Sequence, residues 1–310
     1  MSAIIHPWQQ LAAGEQWRGW WEPGIPSVSA LPVLAVRGLQ PGPQVVITGG
    51  IHGDEYEGPA AIHAFFNTLP AAEVTGTVIG LPVVNGAAWQ ARARVAPSDH
   101  LDLNRVFPGQ AGASEPTRAL AAALFDTFIR PCDLLIDLHS GGVKLVHLPM
   151  VGWYAGGPQA ETLARDFGEA VLPWMIPDVP GVLSYEAHRL GKIAIGAEWG
   201  GGARLDPNGV AGYVAGLRRI LAQLAGGITQ SPTPDTRRPI AGSYQSVEGG
   251  GLFVASVNLG DHVTPASTLG RLYNLLGEPI SEIKAARNGI VAALAHLAWL
   301  EAGDRVAYVG

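Results

Sequence analysis

The stretch "GGIHGDEYEG", Gly49 to Gly58, follows the apolar run "VVIT" and sets a His-x-x-Glu pair, His52 and Glu55, between glycines. Such an apolar run reads as a buried strand, which puts the pair at a strand's carboxyl end, where α/β proteins form ligand crevices. Side chains at i and i+3 share one side of a helical or turn segment, close enough to serve one metal ion. Imidazole and carboxylate both suit zinc, whose catalytic sites typically take three protein ligands. The same residues also read as a polar turn, with Asp54, Glu55 and Glu57 favouring the N-terminus of the helix that follows. On its own the stretch supports both readings equally.

Outward from it, short apolar runs alternate with helical patterns. "QVVITG" (44–49), "GTVIGLPVVN" (76–85), "CDLLIDLH" (132–139) and "GKIAIGAEWG" (191–200) read as strands. "EGPAAIHAFFNTLP" (57–70), "EPTRALAAALFDTFI" (115–129), "GGPQAETLARDFGEAVL" (156–172) and "PNGVAGYVAGLRRILAQLAG" (207–226) read as helices, the second with Ser114 as its cap and Pro116 in its first turn. This alternation predicts an α/β domain with a largely parallel or mixed sheet over residues 1–227. "TQSPTPDTRRP" marks a boundary, with a linker at about 228–236. Residues 237–310 then show short β-like runs with glycine turns, and "LGDHV" and "AGDRV" read as two copies of one turn, 43 residues apart. Turns of this sort resemble those of biotinyl- and lipoyl-type barrels. The stretch "YNLLGEP" carries no lysine and Lys284 lies further on, so a carrier role is not expected.

The bulk properties narrow the function. With 47% hydrophobic and 15% charged residues, the 310-residue chain can bury a sizeable core. The net charge of −6 and the absence of a basic tract argue against a nucleic-acid partner. No run of 18 apolar residues predicts a membrane span. The N-terminus shows no basic segment followed by an apolar core, so a cytoplasmic protein is expected. A lone cysteine, Cys132, cannot form an internal disulfide and reads as a buried structural thiol.

Further residues can carry chemistry. His139 closes "DLLIDLHSGG", where in isolation it reads first as a satisfied histidine at a strand terminus and second as a third ligand pointing into the same crevice. "RARVAPSDHLDLNRVFPG" (92–109) is an arginine-bearing loop with a compact Asp-Leu-Asn-Arg, and guanidinium forks bind carboxylates bidentately. Glu198, at the end of "IAIGAEWGGGAR", is placed as a general base with a tuned pKa.

In this order, "GGIHGDEYEG", "DLNRVFPG", "DLHSGG" and "AEWGG" resemble the succinylglutamate desuccinylase/aspartoacylase family of the zinc carboxypeptidase-like superfamily, over about residues 44–202. The resemblance implies a three-layer α/β/α domain with a mixed central sheet and a small C-terminal β-rich, barrel-like domain. It implies one zinc per chain on His52, Glu55 and His139, with Asp102 bonded to a ligand histidine, His52 foremost. Asn104 and Arg105 would hold a substrate carboxylate. Arg94, with Arg92 as its rival, would stabilise the oxyanion, and Glu198 would move a proton from water to the leaving amine. The implied activity is hydrolysis of a small N-acyl amino acid or related N-acyl amine by a homo-oligomer. A tail domain that narrows the entrance favours such small substrates over peptides. A peptide-cleaving metallocarboxypeptidase and a non-catalytic binding protein on the same fold are the alternatives. "DLHSGG" and the bulky Trp199 depart from the expected pattern. Tyr244 and Tyr273 are both candidates for a pocket tyrosine, and Asp54 and Glu57 are expected to be bystanders.

Overall fold

The computed structural model describes residues 6–226 and 237–310; the expected linker at 228–236 lies outside the described residues. The first part runs β1 (Gln16–Trp21), β2 (Leu31–Arg37), β3 (Gln40–Thr48), α1 (Glu57–Thr68), β4 (Thr75–Leu81), α2 (Gly86–Ala91) and α3 (Pro116–Leu124). It continues with β5 (Leu134–His139), β6 (Leu145–Trp153), α4 (Pro158–Arg165), β7 (Leu172–Met175), α5 (Leu183–Arg189), β8 (Ile193–Gly201) and α6 (Pro207–Gly226). Then come β9 (Ser243–Ser246), β10 (Gly251–Ala255), β11 (His262–Val263), β12 (Thr268–Tyr273) and β13 (Pro279–Lys284). The chain closes with β14 (Gly289–Ala295), β15 (Trp299–Leu300) and β16 (Arg305–Val309).

The strands β3, β4, β5 and β8, each part of an apolar run, pair in parallel in the order β4-β3-β5-β8. Antiparallel neighbours flank them, so the sheet is mixed. Side chains along a strand alternate between faces, and here the two faces feed two cores. Val45 and Ile47 join Leu134, Ile136 and Leu138 in a cluster with Phe65 of α1 and Tyr213 and Leu217 of α6. Val46 and Leu135 face the other way, onto Leu120 and Leu124 of α3 and Leu183 of α5. Helices therefore cover both faces, giving three layers. Each fully buried side chain of this size contributes about 1.5–3 kcal/mol.

The C-terminal strands do not stand apart from this sheet. β14 pairs with β6 and is followed by β16 and β9, so one sheet of twelve strands runs from β1 to β9. A second, antiparallel sheet has the order β13-β12-β10-β15. The two Gly-Asp turns are one motif used twice. Asp261 Oδ2 accepts from Asn258 N at 2.8 Å and Asp304 Oδ2 from Glu301 N at 3.0 Å. Gly260 and Gly303 take matching left-handed φ values of 92° and 90°, which glycine tolerates.

Three local expectations need correction. The strand expected over 76–85 ends at Leu81, because Asn85 turns away to cap α2, accepting from Ala88 N. Ser114 does not cap α3; its hydroxyl bonds Glu115, and Asp99 reaches Thr117 N at 2.9 Å from 18 residues upstream. The helix expected over 156–172 is shorter, since Leu172 already belongs to β7. Short strands and caps are set by partners distant in sequence, which local pattern does not carry.

Cys132 is fully buried under this sheet, and burial pushes its thiol up to about 12. In the native protein at pH 8 it is expected to be inert to a thiol-reactive dye and to react fully once the chain is unfolded in guanidinium. Prompt native labelling would contradict the core described here.

Candidate active site

The loop after β3 does not cap the helix. α1 begins at Glu57, and its N-cap residue Tyr56 makes no side-chain cap bond. The loop instead packs tightly on α2: a Cβ at Gly53 would lie 2.0 Å from the Ala88 carbonyl, so only glycine fits. That close approach turns His52 and Glu55 inward, where both are buried.

Glu55 bridges two imidazoles. Its Oε1 lies 2.7 Å from His52 Nδ1 and its Oε2 lies 2.9 Å from His139 Nδ1 and 3.2 Å from Ser140 N. Each ring turns its other nitrogen to a carboxylate: His52 Nε2 to Asp102 Oδ1 at 3.1 Å, and His139 Nε2 to Asp137 Oδ2 at 3.0 Å. Each ring therefore lies between two carboxylates, which only accept; with a metal in place each Nε2–H would donate to Asp102 or Asp137, leaving both Nδ1 atoms, which face Glu55, to ligate. Donor atoms of His52, Glu55 and His139 lie within 4.8 Å of one another.

The electrostatics fit a cation there. Burial would raise the Glu55 pKa, but the charges of His52 and His139 outweigh it and hold the carboxyl well below its usual range. Burial would lower His139, yet Asp137 and Glu55 hold it well above. A buried negative field strong enough to keep a proton between imidazole and carboxylates is a field that suits a divalent ion. Two imidazoles, one carboxylate and carboxylate-braced rings make a donor set that fits zinc.

The other expected residues gather around this centre. Asp102 sits on His52 and also accepts from Arg94 Nε at 3.1 Å; burial opposes its charge, but His52 and Arg94 keep its pKa low. Arg94 Nη1 lies 3.7 Å from Glu55 Oε1. Arg94 lines the pocket and Arg92 does not; Arg92 closes α2 with a left-handed φ of 52°. Arg105 and Asn104 both line the pocket; Asn104 is buried, its Oδ1 accepting from Leu183 N at 2.8 Å and its Nδ2 lying 3.3 Å from His139 Nε2. Glu198 stands beside His139, its partner in the β5–β8 register, and burial pushes its carboxyl up to about 8. Trp199, one residue on, points to the opposite face and packs edge-on against Tyr213 of α6, so it does not shape the pocket.

Several residues around the site were given no role by the sequence reading. Asp137 holds His139 but reads in the sequence as a lone polar residue inside an apolar strand. His147, in the apolar context "KLVHLP", points its Nδ1 at Glu198 Oε2 from 3.5 Å, and its Nε2 lies 2.8 Å from Tyr244 Oη. Both His147 Nδ1 and Glu198 Oε2 are buried without another hydrogen-bond partner. Burial pushes His147 down to about 4, so it is neutral at physiological pH. Arg305 lies over the Tyr244 ring at 4.1 Å, and both line the pocket; Tyr273 does not. Asp54 and Glu57 are no metal ligands, yet both are buried braces: Asp54 accepts from Val143 N, and Glu57 from Gly201 N and Asp206 N.

Comparison with known proteins places the chain. Residues 41–224 match the model of the succinylglutamate desuccinylase/aspartoacylase catalytic domain. The chain is 32% identical, over 292 residues, to N-alpha-acetyl-L-2,4-diaminobutyric acid deacetylase of Halomonas elongata, covering 90% of this chain and 85% of that one. It is 30% identical to the product-bound ectoine utilization protein EutE (DoeB) of Ruegeria pomeroyi, with a TM-score of 0.81 and coverage of 91% and 89%. A succinylglutamate desuccinylase/aspartoacylase structure from Rhodobacter sphaeroides superposes with a TM-score of 0.83 at 27% identity, covering 99% of this chain and 98% of that one.

Titrating zinc into chelator-stripped protein is expected to show one site per chain, abolished in His139→Ala. Asp137→Asn should weaken it about 10- to 100-fold by freeing the ring. Unchanged affinity in both variants would contradict the site.

Proposed function

From its membership of the succinylglutamate desuccinylase/aspartoacylase family, to which this chain belongs, we infer that the protein is a zinc-dependent deacylase of small N-acyl amino acids or related N-acyl amines. It is a hydrolase of amide bonds in small acyl amino acids, and the relative from Halomonas elongata, a deacetylase by name, supports the choice of substrate. One observation carries the reading: three convergent metal donors and a half-buried carboxylate, Glu198, whose Oε2 has no hydrogen-bond partner, share a single pocket with three arginines.

Zinc on His52, Glu55 and His139 would supply Lewis acidity and lower the pKa of water from ~15.7 to about 7. Glu198 takes a proton from the attacking water and delivers it to the departing nitrogen, so the carbon–nitrogen bond breaks as a carbon–oxygen bond forms. Arg94, held by Asp102, faces the charge that develops on the carbonyl oxygen. Arg105 takes the substrate carboxylate, and Asn104, anchored to Leu183 N, fixes the loop that presents it. His147, braced by Tyr244, keeps Glu198 aimed at the reacting atoms.

We assign the catalytic role to residues 1–227 and a capping role to residues 237–310. Strands β9 and β16 bring Tyr244 and Arg305 into the pocket, which favours small substrates over peptides. No described helix is long and apolar enough to cross a membrane. We take the enzyme to work in the cytoplasm as a homo-oligomer.

Glu198→Gln is expected to lower kcat on an N-acetyl amino acid by about 100- to 10,000-fold with zinc content unchanged. His147→Phe should lower kcat by about tenfold with little change in KM, because it disturbs the aim of Glu198 and no substrate contact. A fully active Glu198→Gln enzyme would refute the assigned base, and activity confined to peptides would favour a carboxypeptidase.

A further inference from the structure

The pocket lining joins two unlike surfaces. One is polar: the metal donors, Glu198, His147 and the three arginines. The other is an apolar wall of Tyr154, Trp174, Ile176, Val179 and Val182. Tyr154, Trp174 and Ile176 belong to one packed apolar cluster. The polar side-chain atoms in this wall need nothing from a ligand: Tyr154 Oη and Ser184 Oγ bond each other at 2.9 Å, and Trp174 Nε1 donates to Tyr308 Oη at 3.0 Å. Gly196 lets Ile176 pack closely into this wall: a Cβ there would come 2.9 Å from Ile176 Cδ1 and 3.8 Å from Ser184 Oγ, so Ile176 would have to move.

This wall is tied to the carboxylate-binding end. Asn104 Oδ1 accepts from Leu183 N, and Phe107 N donates to Gly181 O, so the Arg105 loop is anchored to the segment that carries Val182 and Ser184. Arg105 and Arg305 are also close enough to repel, and burial with this crowding lowers Arg105. A substrate carboxylate on Arg105 would relieve that repulsion, and the anchoring of the Arg105 loop to residues 181–184 sets the apolar wall beside it.

No carboxylate awaits a side chain there: among the described lining residues the carboxylates are Glu55 and Glu198, both already committed. Of the two other carboxylates that act on Tyr154, Asp137 is held by Thr48 and His139, and Asp178 is exposed and outside the lining. An ammonium placed against this wall would lose its hydration with no counter-ion in return, and a side-chain carboxylate would have to compete with the substrate's own carboxylate for Arg105 and Arg305.

We propose that the site takes N-acyl amino acids whose side chain is apolar or aromatic, an inference that rests on the deacylase reading above. It separates this chain from its relative from Halomonas elongata, whose named substrate carries a side-chain amine.

The test measures kcat/KM of the zinc-loaded enzyme on paired N-acetyl and N-succinyl series. Each series contains alanine, leucine, methionine, phenylalanine, aspartate, glutamate, lysine and 2,4-diaminobutyrate. In whichever series is hydrolysed, leucine, methionine or phenylalanine should exceed every charged side chain by at least about tenfold. Preference for a charged side chain overturns the inference and leaves the deacylase reading intact, whereas hydrolysis of neither series overturns both. Val182→Asp places a carboxylate at the N-cap of α5, a position that suits aspartate. It should shift the leucine-to-diaminobutyrate ratio by at least about tenfold toward the amine. Gly196→Ala should cost phenylalanine more than alanine. Ratios unmoved by both substitutions would place the side chain elsewhere and overturn the inference.

Discussion

The Asp137 carboxylate is shared between the fold and the site. Thr48 stands opposite it in the β3–β5 register and donates from Oγ1 to Oδ1 at 2.6 Å. The other oxygen accepts from His139 Nε2. One fully buried group therefore pins two central strands and one candidate ligand at once. A slip of one residue would turn Asp137 to the opposite face and carry His139 out of the pocket. Removing one partner of such a buried ionic network costs about 3–5 kcal/mol, because the charge left behind has no solvent.

The rest of the site follows from that register. His139 and Glu198 face each other across β5 and β8, so the third candidate ligand and the base emerge side by side at neighbouring strand ends. α6 secures the same point from the other side, where Tyr213 Oη donates to the His139 carbonyl at 2.6 Å. The loop after β3 completes the set because Gly53 lets it lie against α2. The antiparallel turn of β6 against β8 then brings His147 to Glu198, and β16 and β9 add Arg305 and Tyr244.

The legible part of the sequence was the part written at strand ends. His52, Glu55, His139 and Glu198 each follow an apolar run and meet a glycine-rich turn, and that local grammar marks them as a group. Residues that act from inside a strand were hidden. Asp137 looks like an interruption of "LLIDLH", and His147 like one polar residue in an apolar strand, because nothing local says that a partner waits across the sheet. Arg305 comes from about 100 residues beyond Glu198, so only the tertiary fold identifies it, and the fold is also what selects Tyr244 over Tyr273, the two tyrosines the sequence left open. The α3 cap shows the same limit: Ser114 has the right chemistry, but Asp99 has the right position. Trp199 shows the converse, a bulky neighbour of the base that strand alternation sends away from the pocket.

The central claim is that the two imidazoles present Nδ1 to a metal while Asp102 and Asp137 hold their Nε2 atoms. Anomalous scattering at the zinc edge, from crystals of the zinc-loaded protein, tests it directly. The account predicts one strong peak about 2.0–2.2 Å from Nδ1 of His52 and His139 and from a Glu55 oxygen. A peak bonded through Nε2, or lying away from these three side chains, would contradict it.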